Sequence, residues 1–115
     1  MKKPGQIVLV PFPYADLANA KLRPALLLRK VSARFDDWLI CMVSSQLRQA
    51  EADFDEMLSA NDPDFSSSGL KSDSVIRVGR LAVVEGALLA GAIGEISPER
   101  LGRIRQRLAD WIGGD

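Results

Sequence analysis

The sequence predicts a small, mainly β protein with helix (α+β), in which an SH3-like small barrel or curved antiparallel sheet is closed by a C-terminal helix. Two features carry this prediction. Short apolar segments recur between Gly, Pro and polar turns along most of the chain, which is the pattern of strands. The C-terminal segment instead repeats apolar residues at helical spacing. The length of 115 residues suits one domain, expected to span positions 1–115.

The first three strands are predicted at Gln6–Phe12, Arg23–Leu28 and Trp38–Ser44. Each is apolar at consecutive rather than alternating positions, and strands of that kind are usually covered on both faces. We therefore expect a helix or a partner subunit to cover the second face. Residues Tyr14–Leu22 are expected to form a polar connection between the first two strands.

The centre of the chain gives weaker signals. Gln46–Leu58 is compatible with a short helix or an exposed strand, and Asn61–Gly69 is expected to be a loop because it is rich in turn-forming residues. Strand character returns at Ser74–Leu81. Further strands are predicted at Leu81–Val84 and Ala90–Ile96, although Ala and Gly favour strands only weakly.

The C-terminal helix has the clearest signals. Ser97 is a typical N-cap, Pro98 suits the first helical position, and Glu99 places an acid in the first turn. The helical repeat consists of Leu101, Ile104, Leu108 and Trp111, and Gly113–Gly114 ends it. The other faces carry arginines that we expect to be solvated, namely Arg100, Arg103, Arg105 and Arg107.

Composition excludes several classes of function. Fifteen basic and fifteen acidic residues cancel, which argues against a general nucleic-acid coat protein but allows a local basic groove. The absence of histidine excludes His-based triads and His metal sites. The single cysteine, Cys41, cannot form an internal disulfide or a Cys-rich zinc site and is expected to be buried. No apolar stretch is long enough to span a bilayer, and the start of the chain lacks a signal-peptide pattern, so a cytoplasmic location is expected.

Five segments, taken in order, resemble MazF/PemK-like toxins. They are Gly5–Leu17 (GQIVLVPFPYADL), Leu22–Leu28 (LRPALLL), Met42–Gln46 (MVSSQ), Gly69–Val78 (GLKSDSVIRV) and Ser97–Leu101 (SPERL). The resemblance implies a homodimeric SH3-like barrel that acts as the toxin of a type II toxin–antitoxin pair and is held in check by a cognate antitoxin. It also implies an endoribonuclease that cuts single-stranded RNA through the RNA's own 2′-hydroxyl, with no metal and no other cofactor.

The resemblance further implies which residues form the site. Arg23 and Arg77 match family arginines that handle phosphate, and a guanidinium suits that role because it is permanently charged and planar. The RNA-binding candidates are Lys21, Ser44, Ser45 and Gln46. From the residues alone, an ion pair with a carboxylate for Arg23 and plain turn roles for the two serines remain open.

The chain departs from the family pattern at the residues that serve as the general acid and general base for RNA cleavage. Many relatives place an aspartate two positions after the second arginine, where this chain has Gly79, and the histidine of some members is missing. Asp16 is the leading candidate for the base and Glu95 a weaker one, although Asp16 is also compatible with a purely loop-shaping role.

These departures leave a second hypothesis. Losing one acid or base group costs on the order of 10²–10⁴ in rate, so the chain is alternatively a weakened or inactive domain that still binds RNA or antitoxin. A peptide-binding SH3-like domain fits less well. Such domains line their grooves with aromatic residues, and only seven of the 115 residues here are Phe, Trp or Tyr.

Overall fold

The computed structural model describes residues 1–11 and 21–114, which form a six-stranded antiparallel sheet with a long helix packed against it. The sheet order is β4-β5-β3-β2-β1-β6. The strands are β1 (Gln6–Pro11), β2 (Leu22–Lys30), β3 (Asp37–Ser44), β4 (Glu56–Leu58), β5 (Ser74–Glu85) and β6 (Gly91–Glu95). The helices are α1 (Phe65–Ser68) and α2 (Pro98–Gly113). The predicted fold class, a mainly β curled sheet with a C-terminal helix, is confirmed.

Both faces of the central strands are buried, as the consecutive apolar residues predict. One face packs against Ile104 and Leu108 of α2 and forms the helix-side cluster, which includes Ile7, Leu26, Cys41 and Ile76. The alternate residues form a second cluster of Val8, Val10, Ala25, Leu27, Trp38, Ile40 and Val84. Because the sheet curls, these side chains pack against one another, and their burial is complete within one chain. Neither a second helix nor a partner subunit, the two covers that we expected, is therefore needed to bury this face.

The two strands predicted at Ser74–Leu81 and Leu81–Val84 are a single strand, β5, interrupted by a bulge. Arg77 is paired with Met42 of β3, whereas Leu81 is paired with the adjacent Cys41, so the three residues between have no partner position on β3. The bulge exchanges the faces of the strand. Residues 76 and 78 belong to the helix-side cluster, while residues 82 and 84 belong to the second cluster.

The segment between β3 and β5 contains one element that the sequence did not predict. Helix α1 lies within residues 61–69, which were expected to be a loop. It ends at Gly69, whose φ of 76° is left-handed. The helix packs closely on β6, since a Cβ on Gly94 would lie 2.2 Å from the carbonyl oxygen of Ser67. Residues 46–58 hold a single 3₁₀ turn at Leu47–Gln49 and the short strand β4.

Helix α2 begins and ends where the sequence predicts. The Ser97 hydroxyl accepts a hydrogen bond from the Arg100 amide at 3.1 Å, and Pro98 occupies the first turn. The prediction that the arginines form a solvated face is wrong for Arg100, which is only 6% exposed. Arg105 is also engaged, donating to the carbonyl of Leu28 from Nη2 at 2.6 Å. The partners are distant in sequence, so helical periodicity gives no sign of them.

Cys41 is fully buried, as expected, and burial raises the pKa of its thiol. In residues 1–11 and 21–114, no helix is both long and apolar enough to cross a membrane. The same residues contain no group of three or more Cys, Asp or Glu side chains placed to hold a metal ion.

Candidate functional site

Four of the predicted site residues line one concavity of about 530 Å³, which we call the Arg23 concavity. Arg23 lies near the start of β2, and Ser44 is the last residue of β3. Because β2 and β3 are antiparallel, with Ala25 opposite Met42, these two positions meet at the same end of the sheet. Ser45 and Gln46 follow directly and complete the wall.

The Arg23 concavity is lined by cations and hydroxyl groups. Arg23 is exposed and makes no ion pair with any residue of the described ranges. Lys71 and Ser72 also line it, and no carboxylate is among the lining residues that the structure describes. The hydroxyl of Ser44 accepts a hydrogen bond from the amide of Gln46 at 3.0 Å, so the turn role left open for this serine is realised. The concavity therefore has the chemistry of an anion site.

Sequence reasoning did not single out Lys71 and Ser72. Both lie in the Gly69–Val78 segment that carries the resemblance, which was the available signal. They reach the Arg23 concavity because α1 and its left-handed Gly69 turn the chain back across β6 before β5 begins. That path is a tertiary feature and leaves no local pattern in the sequence.

Two of the three other candidates, Lys21 and Glu95, lie elsewhere. Lys21 is exposed just before β2 and is not among the residues lining the Arg23 concavity. Asp16 lies outside the described residues. Glu95, the weaker candidate for a base, forms an exposed ion pair with Lys3 at 3.2 Å and does not line the concavity.

Arg77 lies in a separate concavity of about 500 Å³, which we call the Arg77 concavity. It is lined by Glu51, Phe54, Asp55, Arg77, Gly79, Arg80 and Trp111. Arg77 donates from Nε to Asp55 Oδ2 at 3.0 Å and from Nη1 to Gln49 Oε1 at 3.3 Å. Arg77 thus has a buried partner, since the Asp55 side chain is 2% exposed.

Asp55 is a third residue that sequence reasoning missed. Its Oδ1 accepts from the Val78 amide and its Oδ2 from the Glu51 amide, each at 2.9 Å. These bonds cap the edge of β5 beyond the end of β4. The carboxylate therefore both closes the sheet edge and holds the guanidinium of Arg77.

Gly79 sits in the bulge beside Arg77, where many relatives have aspartate. A Cβ built on Gly79 would lie 3.0 Å from Cε2 of Phe54, so this ring fills the space next to the backbone. The carboxylate that contacts Arg77 comes from Asp55 instead.

A buried ion-pair network ties α2 to the segment that leads into the Arg23 concavity. Arg100 Nε donates to Asp64 Oδ2 at 2.9 Å, and Arg100 Nη1 donates to Glu56 Oε1 at 3.1 Å. Burial alone would raise the pKa of Asp64, but hydrogen bonds from Arg100 and from the Ser97 amide outweigh it and lower this pKa to about 2. Asp64 is therefore ionised at neutral pH and fixes the start of α1.

Comparisons with solved structures find the same fold. MazF from Deinococcus radiodurans is 20% identical, with a TM-score of 0.72 over 98% of this chain and 97% of that one. A mycobacterial endoribonuclease in complex with its cognate antitoxin is 14% identical, with a TM-score of 0.71 over 100% of this chain and 98% of that one. The Mycobacterium tuberculosis toxin MazF-mt6 is 15% identical, with a TM-score of 0.65 over 98% of this chain and 99% of that one.

The sequence comparison is more specific. No curated protein sequence matches the chain. A family model described as PemK-like, MazF-like toxin of type II toxin–antitoxin system matches residues 3–112. That match spans nearly the whole sequence, and the chain therefore belongs to the family of PemK-like, MazF-like toxins of type II toxin–antitoxin systems.

Proposed function

We propose that this toxin is an endoribonuclease that cleaves single-stranded RNA without a metal ion, and that the Arg23 concavity holds the scissile phosphate. The observation that carries the proposal is the composition of this concavity: Arg23 and Lys71 supply cations, Ser44 and Ser45 supply hydroxyls, and no described lining residue is acidic. A site with these groups attracts a phosphodiester and stabilises added negative charge on it.

The proposed reaction is an in-line attack of the RNA 2′-oxygen on the adjacent phosphorus. The 2′-hydroxyl gives its proton to a base, and the 2′-oxygen bonds to phosphorus as the bond between phosphorus and the 5′-oxygen breaks. The departing 5′-oxygen takes a proton from water, so the products are a 2′,3′-cyclic phosphate and a 5′-hydroxyl. Arg23 stabilises the phosphorane, and Arg77 is the second phosphate-contacting cation. Asp16 is the proposed base. No cofactor is needed because the nucleophile belongs to the substrate.

We further propose that the toxin acts in the cytoplasm as a homodimer and that an acidic segment of its antitoxin covers the Arg23 concavity. The charge of the concavity supports this partner, because carboxylates fit the groups that bind phosphate. A structural neighbour is described as MazE–MazF from Deinococcus radiodurans, which makes an antitoxin complex a reasonable expectation for this fold.

The test is cleavage of a long single-stranded RNA in EDTA by antitoxin-free protein, with the cut ends typed chemically. Native protein is expected to leave cyclic phosphates. Arg23→Ala is expected to lose on the order of 10²–10³ in rate, the cost of removing one group that stabilises transition-state charge. Arg34→Ala is the matched control, because Arg34 lies over the Phe35 ring and lines neither concavity. Absence of cleavage by folded native protein contradicts the enzyme proposal.

A second candidate is a binding domain that has lost cleavage. It is favoured by Gly79, which offers no side chain beside Arg77, and by Asp55, which already neutralises that arginine. RNA binding that weakens steeply with salt, without any cleavage, would support this candidate over the enzyme.

A further inference from the structure

We propose that the Arg77 concavity binds one nucleotide of the RNA strand, with the base stacked on Trp111 and the phosphate held by Arg77 and Arg80. The inference rests on the proposed function, because it takes RNA as the ligand. It adds a second contact point for the strand, outside the concavity assigned to the scissile phosphate.

Trp111 provides the stacking surface. Its ring centroid lies 5.4 Å from that of Phe54, with the two planes inclined by 52°, so Phe54 supports the indole from one side. More than half of Trp111 nevertheless stays exposed, at 54%. An indole at the mouth of a concavity is a good platform for a base, because every base has a π-face and stacking needs no sequence readout.

The arginines provide the phosphate contact. The Asp55 carboxylate fixes Nε of Arg77, and the backbone amides of Val78 and Glu51 also donate to this carboxylate, so three donors offset part of its negative charge. Nη2 of Arg77 makes no hydrogen bond with the residues that the structure describes. Arg80 is exposed and, across the same residues, forms no ion pair.

The dimensions and position of the Arg77 concavity suit one nucleotide of a longer strand. Its volume of about 500 Å³ falls in the usual range of roughly 300–1,000 Å³ for small-ligand sites. Met42, which lines the Arg23 concavity, is the residue paired with Arg77, so the two concavities flank one pair of residues on β3 and β5. In this proposal one RNA strand contacts both concavities. Glu51, the other acid of the lining, suits the amino group of a base rather than a phosphate.

The chain offers a direct optical test. Trp38 is 5% exposed, whereas Trp111 is 54% exposed, so a ligand that quenches tryptophan fluorescence reports mainly on Trp111. The probe is a short 2′-O-methyl RNA, which lacks the free hydroxyl needed for cleavage. Native protein is expected to bind it with quenching. Trp111→Leu is expected to lose the quenching and to weaken binding by roughly 5- to 100-fold, measured by polarisation of a labelled probe.

Matched variants separate stacking from general effects. Ile112 follows Trp111 on α2 and is 65% exposed, but it lines a different cavity, so Ile112→Ala is expected to bind like native protein. Trp111→Phe keeps an aromatic platform and is expected to retain most of the affinity while losing the quenching. Arg80→Ala is expected to weaken binding and reduce its salt dependence, whereas Arg34→Ala leaves both nearly unchanged.

The outcomes distinguish the two proposals. If native protein binds and cleaves RNA while folded Trp111→Leu and Arg80→Ala variants bind the probe as tightly as native, the nucleotide site is refuted and the proposed function stands. If native protein binds no RNA at all, the proposed function fails and this inference fails with it. Quenching by an acidic peptide but not by the RNA probe would assign the Arg77 concavity to a protein partner instead and overturn the proposal.

Discussion

Replacing Arg100 with methionine tests whether the buried network holds the fold together. Arg100 bridges Asp64, which lies just before α1, and Glu56 of β4, and it also donates to the carbonyl of Met57 at 2.9 Å. The side chains of Arg100, Asp64 and Glu56 are all 6–7% exposed. Methionine fills a similar volume without charge, so the change removes the cation and leaves its partners in place.

The expected loss of stability follows from which carboxylate is left unpaired. Breaking a buried ion pair by removing one partner costs roughly 3–5 kcal/mol. Glu56 keeps Arg103 and Arg107, whereas Asp64 keeps only the Ser97 amide and local bonds. We therefore expect a loss at the lower end, about 3 kcal/mol, a large share of the 5–15 kcal/mol typical of a domain.

Urea unfolding followed by circular dichroism measures this loss. With a slope of about 1.5 kcal/mol per molar urea, the midpoint is expected to fall by about 2 M. Arg103→Met is the matched control, since Arg103 contacts the same Glu56 but is 51% exposed, and its change should cost less than about 1 kcal/mol. If the two variants unfold at the same urea concentration, the argument that burial makes Arg100 decisive is wrong.

Three further predictions concern stability and reactivity. Because the pKa of Asp64 falls from 3.8 to about 2 on folding, the ionised carboxylate contributes about 2 kcal/mol of stability above pH 4, and this contribution is lost as the pH falls towards 2. The urea midpoints of native protein and of Asp64→Asn should therefore converge in acid. A difference between the two midpoints that stays constant with pH would contradict this. Gly94→Ala should lower the melting temperature, because its Cβ would clash with the backbone of Ser67 and Ser68. Gly102→Ala, whose Cβ would have no atom within 4 Å, should instead raise stability by about 0.5–1 kcal/mol. The opposite order of stability would refute the packing described for β6. The Cys41 thiol should react with a thiol reagent only in urea, since it is buried with a raised pKa, and rapid reaction in native protein would show that β3 opens.

Much of the fold was predictable because its signals are local. β1, β2 and β3 are apolar runs between turn residues, and α2 carries its cap and its periodicity within itself. Helix α1 was missed because four residues show no periodicity. The unity of β5 was missed because its bulge is visible only when β3 is laid beside it.

The candidate site was predictable only in part, for the same reason. The resemblance selected Arg23, Ser44, Ser45 and Gln46, and the structure brings these four together. It gave no indication that Arg77 would lie in a different concavity, or that Asp55 would hold it, because that pair is 22 residues apart in sequence. Trp111 has the spacing of a core residue, yet it lies in the last turn of α2, where the sheet no longer covers it.

The bulge in β5 leaves one position of the Arg77 concavity, residue 79, outside the strand pairing of the sheet. β5 pairs with β3 up to Arg77 and again from Leu81, so the hydrogen bonds between these strands do not constrain the side chain at position 79. Among the described residues, only the Phe54 ring lies within 4 Å of a Cβ built at this position. An acidic residue at this position, together with a smaller residue at position 54, can therefore add a carboxylate beside Arg77 while every strand keeps its register. The side-chain chemistry beside Arg77 and the pairing of the sheet are thus separable properties of this chain.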